Sequence, residues 1–199
     1  MLRVSMGERT DSMSTNSRDA ILEAARRGAQ AHGYTGISFR DLAKIVGIKA
    51  ASIYHYFPTK AELGVAVARR YWEQTASDLE QLLADEGSPT AALVKYPSIF
   101  RRSLENENRL CMVSFMAAEF DDLPEEVREE VQKFADVNVA WLSDMLAAAG
   151  LASADESVDR GRAIYAAVAG AQLLARSRSD ITLFDTLISS YRAAGLLPH

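Results

Sequence analysis

Residues 38–57, SFRDLAKIVGIKAASIYHYF, constrain this chain more than any other stretch. Apolar side chains recur at Phe39, Leu42, Ala43 and Val46, the i, i+3, i+4, i+7 spacing of one helix face. Gly47 follows, free to take the positive φ that a sharp turn demands. A second short helix then places Ile53, Tyr56 and Phe57 on one side and leaves Ala50, Ala51, Ser52, Tyr54 and His55 largely outward. Ala43 is small where the two helices must approach. Ser38 with Asp41 makes a near capping box, Thr59 with Glu62 a full one, and Pro58 ends the second helix. The pattern is a helix-turn-helix: one helix braces a second, whose outer face can enter a DNA major groove. An αα-hairpin that binds nothing shares this spacing, so charge is needed to separate the two.

The net charge of −5 hides an asymmetry: residues 1–70 hold 11 Lys/Arg against 6 Asp/Glu, and residues 71–199 hold 11 against 21. The positive segment coincides with the helix-turn-helix. A basic first third and an acidic remainder suit a chain that offers one end to phosphate and keeps the rest away from it. An acidic chain is a poor non-specific architectural DNA binder, which depends on pervasive positive charge.

The rest reads as all-α, because no stretch alternates as a strand would. Helices are expected over residues 18–32, 60–85, 89–104, 110–120, 124–149, 154–176 and 181–194, besides the helix-turn-helix. The long helix from Lys60 joins the basic and acidic parts, so no flexible linker separates them. Residues 1–17 are polar and read as a disordered arm. No apolar run approaches the roughly 20 residues needed to span a bilayer, and nothing resembles a signal peptide. The single cysteine, Cys111, fits a reducing cytoplasm. The three histidines lie far apart and suggest no metal site. No catalytic constellation or glycine-rich phosphate loop occurs, so neither an enzyme nor a cofactor is expected.

The opening RDAILEAARRGAQAHGYTGISFRDLAKIVGI and the later SIYHYFPTKAEL resemble the tetracycline-repressor (TetR) family of bacterial regulators. The run from Tyr54 to Pro58 with Lys60 and Leu63 is the most specific part of that likeness. The resemblance implies an all-α homodimer, with a DNA-binding domain over 18–63 and a ligand-binding and dimerisation domain over 64–199. It implies a double-stranded DNA operator, released when a small-molecule inducer binds. Carried over by position, it implies that Arg40, Ala51, Ser52 and His55 face bases. Thr35, Ser38, Tyr54 and Lys60 would hold phosphates. One departure stands out: where many relatives have a hydroxyl residue, then Lys or Arg, then Gly, this chain has Lys49, Ala50 and Ala51. Lys49 cannot accept a capping bond, and the basic contact has moved one place earlier.

In the acidic part, Ala163, Ala166, Ala167, Ala169, Gly170 and Ala171 give one helix a small-residue surface. With Leu183, Leu187, Ile188 and Tyr191 they suggest a four-helix interface between two copies. Trp72, Phe100, Met112, Phe115, Met116, Trp141 and Tyr165 can line an adaptable apolar cavity, with Gln172 and Glu119 as polar groups to orient a ligand. Cys111 stands near an expected helix start beside Arg109, a setting that lowers a thiol pKa. The segment is also similar to the matching region of TetR-type repressors that sense oxidants or electrophiles through cysteine. A redox- or electrophile-sensing repressor is therefore the alternative expectation.

Overall fold

A computed structural model describes the chain from residue 6 to 199, with side chains from residue 17 onward. Among the described residues the regular elements are helical. They are α1 (Met6–His32), α2 (Phe39–Val46), α3 (Ala50–Tyr56), α4 (Lys60–Glu86), α5 (Pro89–Lys95), α6 (Pro97–Glu105), α7 (Met112–Ala118), α8 (Glu125–Ala148), α9 (Ala154–Arg178) and α10 (Ile181–Ala193). A single 3-10 turn, Phe120–Asp122, follows α7.

Two boundaries differ from the sequence reading. The expected arm over 1–17 is helical from Met6, because no proline and only Gly7 oppose extension of α1; residues 1–5 of that arm lie outside the described residues. The single helix expected over 89–104 is two. Tyr96 keeps helical angles (φ −45°, ψ −44°), but Pro97 has no N–H to continue the ladder, so α6 starts afresh there.

Ile21, Leu22, Ala25 and Ala29 of α1 are buried and share the core with Leu42, Ala43, Ile53 and Phe57. α4 carries that core onward through Leu63, Val67 and Leu79 to the helices behind it. Its main partner there is α8. The two are clasped at Glu130, whose carboxylate is only 3% exposed. It accepts from Arg69 Nη2 at 2.7 Å, Trp72 Nε1 at 2.7 Å and Lys133 Nζ at 2.9 Å. Burial alone would raise the Glu130 pKa, but these donors outweigh it and hold the group at about 2. The helix that carries α1–α3 is thereby tied to the body of the molecule.

Candidate nucleic-acid interface

Local chemistry fixes the pose of α2 and α3. The Ser38 hydroxyl oxygen accepts from Asp41 N at 3.4 Å and caps α2, which leaves its hydrogen free to donate outward. Gly47 takes φ +75° and donates its N–H to Ala43 O at 3.0 Å, closing α2 and turning the chain. Lys49 occupies the N-cap of α3 with no side-chain bond, as its chemistry requires. Ile53, 0% exposed, and Phe57, 3% exposed, anchor the inner side of α3. Its outer side shows Ala50, Ala51, Tyr54 and His55, with Ser52 half-buried. Tyr54 is 55% exposed, and Phe39 meets its ring edge-on at 4.8 Å. That contact steadies the ring while the hydroxyl remains outward. Arg40 stands exposed on α2.

The remaining two candidates lie on the turn before α2 and at the start of α4. Lys60 Nζ sits 4.5 Å from the centroid of the Tyr34 ring and 3.5 Å from Thr35 O. Burial lowers its pKa, and the nearby Glu119 carboxylate partly offsets this. Thr35 is exposed, yet its Oγ1 lies 3.1 Å from His32 O and 2.9 Å from Glu119 Oε1. The other Glu119 oxygen accepts from Tyr34 N at 2.5 Å. Gly33 makes the approach possible: at φ +67°, a Cβ there would stand 2.1 Å from Glu119 Oε2. A carboxylate from the end of α7 thus occupies two donors of the turn leading into α2. The sequence reading placed Glu119 beside a ligand. No local signal could have found its actual contact, because 84 residues separate it from Thr35.

Residues 21–67 match the family model for bacterial regulatory proteins of the tetR family. The chain is a DNA-binding transcriptional regulator whose first third matches the TetR family. It is 27% identical to the HTH-type transcriptional repressor NemR of Escherichia coli (strain K12) over 180 residues, 86% of this chain and 90% of NemR. It is 37% identical to the HTH-type transcriptional repressor AcnR of Corynebacterium glutamicum over 73 residues, 37% of each chain. A solved TetR transcriptional regulator from Legionella pneumophila superposes with a TM-score of 0.82 at 29% identity, covering 88% of this chain and 95% of that one.

Behind the helix-turn-helix, six of the eight candidate ligand residues share one interior. Phe100, Met112, Met116, Trp141 and Gln172 are buried, with Tyr165 half-buried against them. Trp141 stacks on Tyr96 at 5.8 Å, and Phe100 meets Tyr165 at 6.2 Å. Trp141 Nε1 is buried without a hydrogen-bond partner. Gln172 accepts from Cys111 N at 3.1 Å and donates to Phe100 O at 2.6 Å, joining α9 to α6 and to the start of α7. The other two candidates stand apart: Trp72 serves Glu130, and Phe115 lies under Arg176, 5.5 Å from ring centroid to guanidinium carbon.

Cys111 is not the activated thiol that its sequence neighbours suggest. Burial pushes its pKa up, and donors including Ser114 N and the Tyr71 hydroxyl only partly offset this. Arg109 pairs with Glu107 instead of the thiol. On α9, Ala171 is buried within the chain, while Ala163 and Ala166 are exposed. Leu173 and Leu174, which the sequence reading passed over, are 56% and 50% exposed beside them. Leu183, Leu187 and Tyr191 of α10 are half-buried, and Ile188 is buried. Among the described residues no cluster of three or more His, Cys, Asp or Glu side chains suits a metal, and no helix is long and apolar enough to cross a membrane.

Proposed function

We propose that this regulator is a homodimeric repressor that holds a partly palindromic operator and is released by a small-molecule inducer. The observation that carries the reading is the outer face of α3, anchored from behind by Ile53 and Phe57 and exposing Ala51, Tyr54 and His55. Arg40, Ser52 and His55 would read base edges, with Ala51 close enough for apolar contact; Thr35, Ser38, Lys49, Tyr54 and Lys60 would fix position on phosphates. Residues 18–63 would form the DNA-binding domain and 64–199 the ligand-binding and dimerisation domain. The stripe of exposed Ala163, Ala166, Leu173 and Leu174 with half-buried Gly170 has the helical spacing of a surface suited to a second copy. The names of NemR and AcnR as repressors support the direction of control. Trp141 Nε1, a buried donor left unpartnered in the packed interior around Phe100, Tyr165 and Gln172, supports a ligand-responsive core.

Two recognition helices entering successive major grooves on one face need a separation of roughly 34–36 Å. The test is fluorescence anisotropy with DNA from upstream of the protein's own gene, competed by unrelated DNA, together with genome-wide selection of bound fragments. Saturable binding by a dimer at a sequence that selection also returns supports the proposal. A protein monomeric at micromolar concentration, or a folded dimer for which selection returns nothing, refutes it.

A further inference from the structure

A cleft of about 400 Å³ opens between α1, α4 and α6, away from the aromatic interior. Small-molecule sites are roughly 300–1,000 Å³. None of the eight residues expected to hold a ligand lines it. Its floor is apolar: Leu22 and Val67 are buried, and Tyr71 and Ile99 are half-buried. The Tyr71 hydroxyl points beyond the floor to the Cys111 thiol.

The polar walls carry three guanidinium groups, of Arg26, Arg70 and Arg102, and two carboxylates, of Glu23 and Asp78. Most of these are committed within the chain. Arg26 donates to both Glu23 oxygens and to Gln30 Oε1 at 2.8 Å. Arg70 pairs with Asp19 at 2.7 Å, and Asp78 accepts from Gln74 at 2.9 Å. Among the lining side-chain donors with no partner in the described residues, which include Ser103 and Asn106, two matter here. The Arg102 side chain, on α6, has no partner among the described residues. Gln30, on α1, is 3% exposed, and once its oxygen has accepted from Arg26 its amide nitrogen has no partner there either. That nitrogen is open to the solvent in the cleft, so it is free to donate to a molecule bound there.

We propose that this cleft binds an amphipathic monocarboxylate, its hydrocarbon body on the Leu22–Val67–Tyr71–Ile99 floor and its carboxylate on Arg102, with the Gln30 amide as second donor. A guanidinium fork matches a carboxylate in two parallel hydrogen bonds. The walls carry one net positive charge, and Glu23 and Asp78 repel a second negative one, so a monoanion fits better than a dianion. The consequence for DNA follows from who owns the walls. α1 and α4 carry the helix-turn-helix, whereas α6 packs chiefly on α9 and α10. A ligand held from both sides sets the distance between these two groups. That consequence rests on the ligand-responsive reading above; the binding step does not.

The test uses the full chain without DNA, titrated calorimetrically with octanoate and with its neutral isostere octanamide. Saturable octanoate binding is expected, with octanamide about tenfold weaker or worse. Arg102→Gln, at an exposed position, should weaken octanoate by about tenfold and leave octanamide unchanged. Ile99→Trp, which fills the cleft from its floor, should abolish both. Equal binding of the two probes, octanoate binding indifferent to Arg102→Gln, or no octanoate binding at all overturns the proposal. Anisotropy on the unliganded protein reports separately on DNA binding, so octanoate binding without operator binding would sink the repressor reading and leave the cleft standing.

Discussion

Glu130 is the buried charge that holds α4, the helix following the helix-turn-helix, to α8, and replacing it with glutamine tests how much that clasp stabilises the molecule. Its pKa is depressed from 4.5 to about 2. At 1.36 kcal/mol per unit, this amounts to about 3 kcal/mol of differential stabilisation of the ionised form. The carboxylate is 3% exposed, but Arg69 and Lys133 are 52% and 47% exposed, so solvent screens part of the attraction. A loss of about 2–3 kcal/mol for Glu130→Gln at pH 7 is therefore expected. The sign with pH follows from linkage. A group whose folded pKa is depressed stabilises fully above its unfolded value and loses that contribution as pH falls through the folded value. The gap between wild type and Glu130→Gln should thus be constant from pH 7 to about 5.5 and shrink between about 4.5 and 2. Urea unfolding followed by circular dichroism at fixed protein concentration measures it, since association shifts apparent stability. A loss below about 0.5 kcal/mol at pH 7, or a gap that does not change between pH 6 and 3, would refute the reasoning.

Glu119→Gln should lower stability by about 1–2 kcal/mol, because it weakens charge-assisted bonds to Tyr34 N and Thr35 Oγ1. It should also tighten DNA binding by removing a carboxylate from donors that otherwise can take phosphate; unchanged affinity in anisotropy argues that the contact is structural only. Lys49→Ser supplies the acceptor that the N-cap of α3 lacks, so thermal unfolding should show a gain of about 0.5–1 kcal/mol. The same change should reduce the slope of log K against log salt by about 1 if Lys49 meets a phosphate. Tyr54→Phe should weaken operator and unrelated DNA alike, while Arg40→Ala or Ser52→Ala should change the ranking of operator variants by about 1–3 kcal/mol per contacted base pair. Cys111 should react with thiol reagents far more slowly in the native protein than in urea, given its burial and raised pKa; equal rates would show that the interior opens freely.

What the sequence made legible is short-range. The turn at Gly47, the caps at Ser38 and Thr59 and the anchor at Ile53 each depend on neighbours within a few residues, and each stands where the spacing placed it. Pro97 was equally local, but the apolar periodicity on both sides of it masked the break. The site's second half was not legible, for a different reason. Aromatic and methionine enrichment cannot distinguish a filled core from a cavity, since both need the same side chains. Thus Phe100 and Met112 are fully packed, while the open cleft is walled largely by arginines, acids and amides that read in sequence as solvated helix faces. Cys111 shows the same limit in its electrostatics: sequence reveals Arg109 and a helix start, but not that Arg109 turns to Glu107 or that α4 brings Tyr71 against the sulfur. The polar contacts that tie the helices of the regulator together are of this long-range kind, and the one from Glu119 reaches the helix-turn-helix segment itself. Glu119 reaches Thr35 across 84 residues, Glu130 reaches Arg69 across 61, and Gln172 reaches Phe100 across 72. The Glu130 and Gln172 contacts put a polar group where water is scarce and removing one partner is costly. A ligand that shifts α7 must therefore either break the Glu119 contacts or drag the helix-turn-helix with it, which is the physical basis on which binding at one end can be felt at the other.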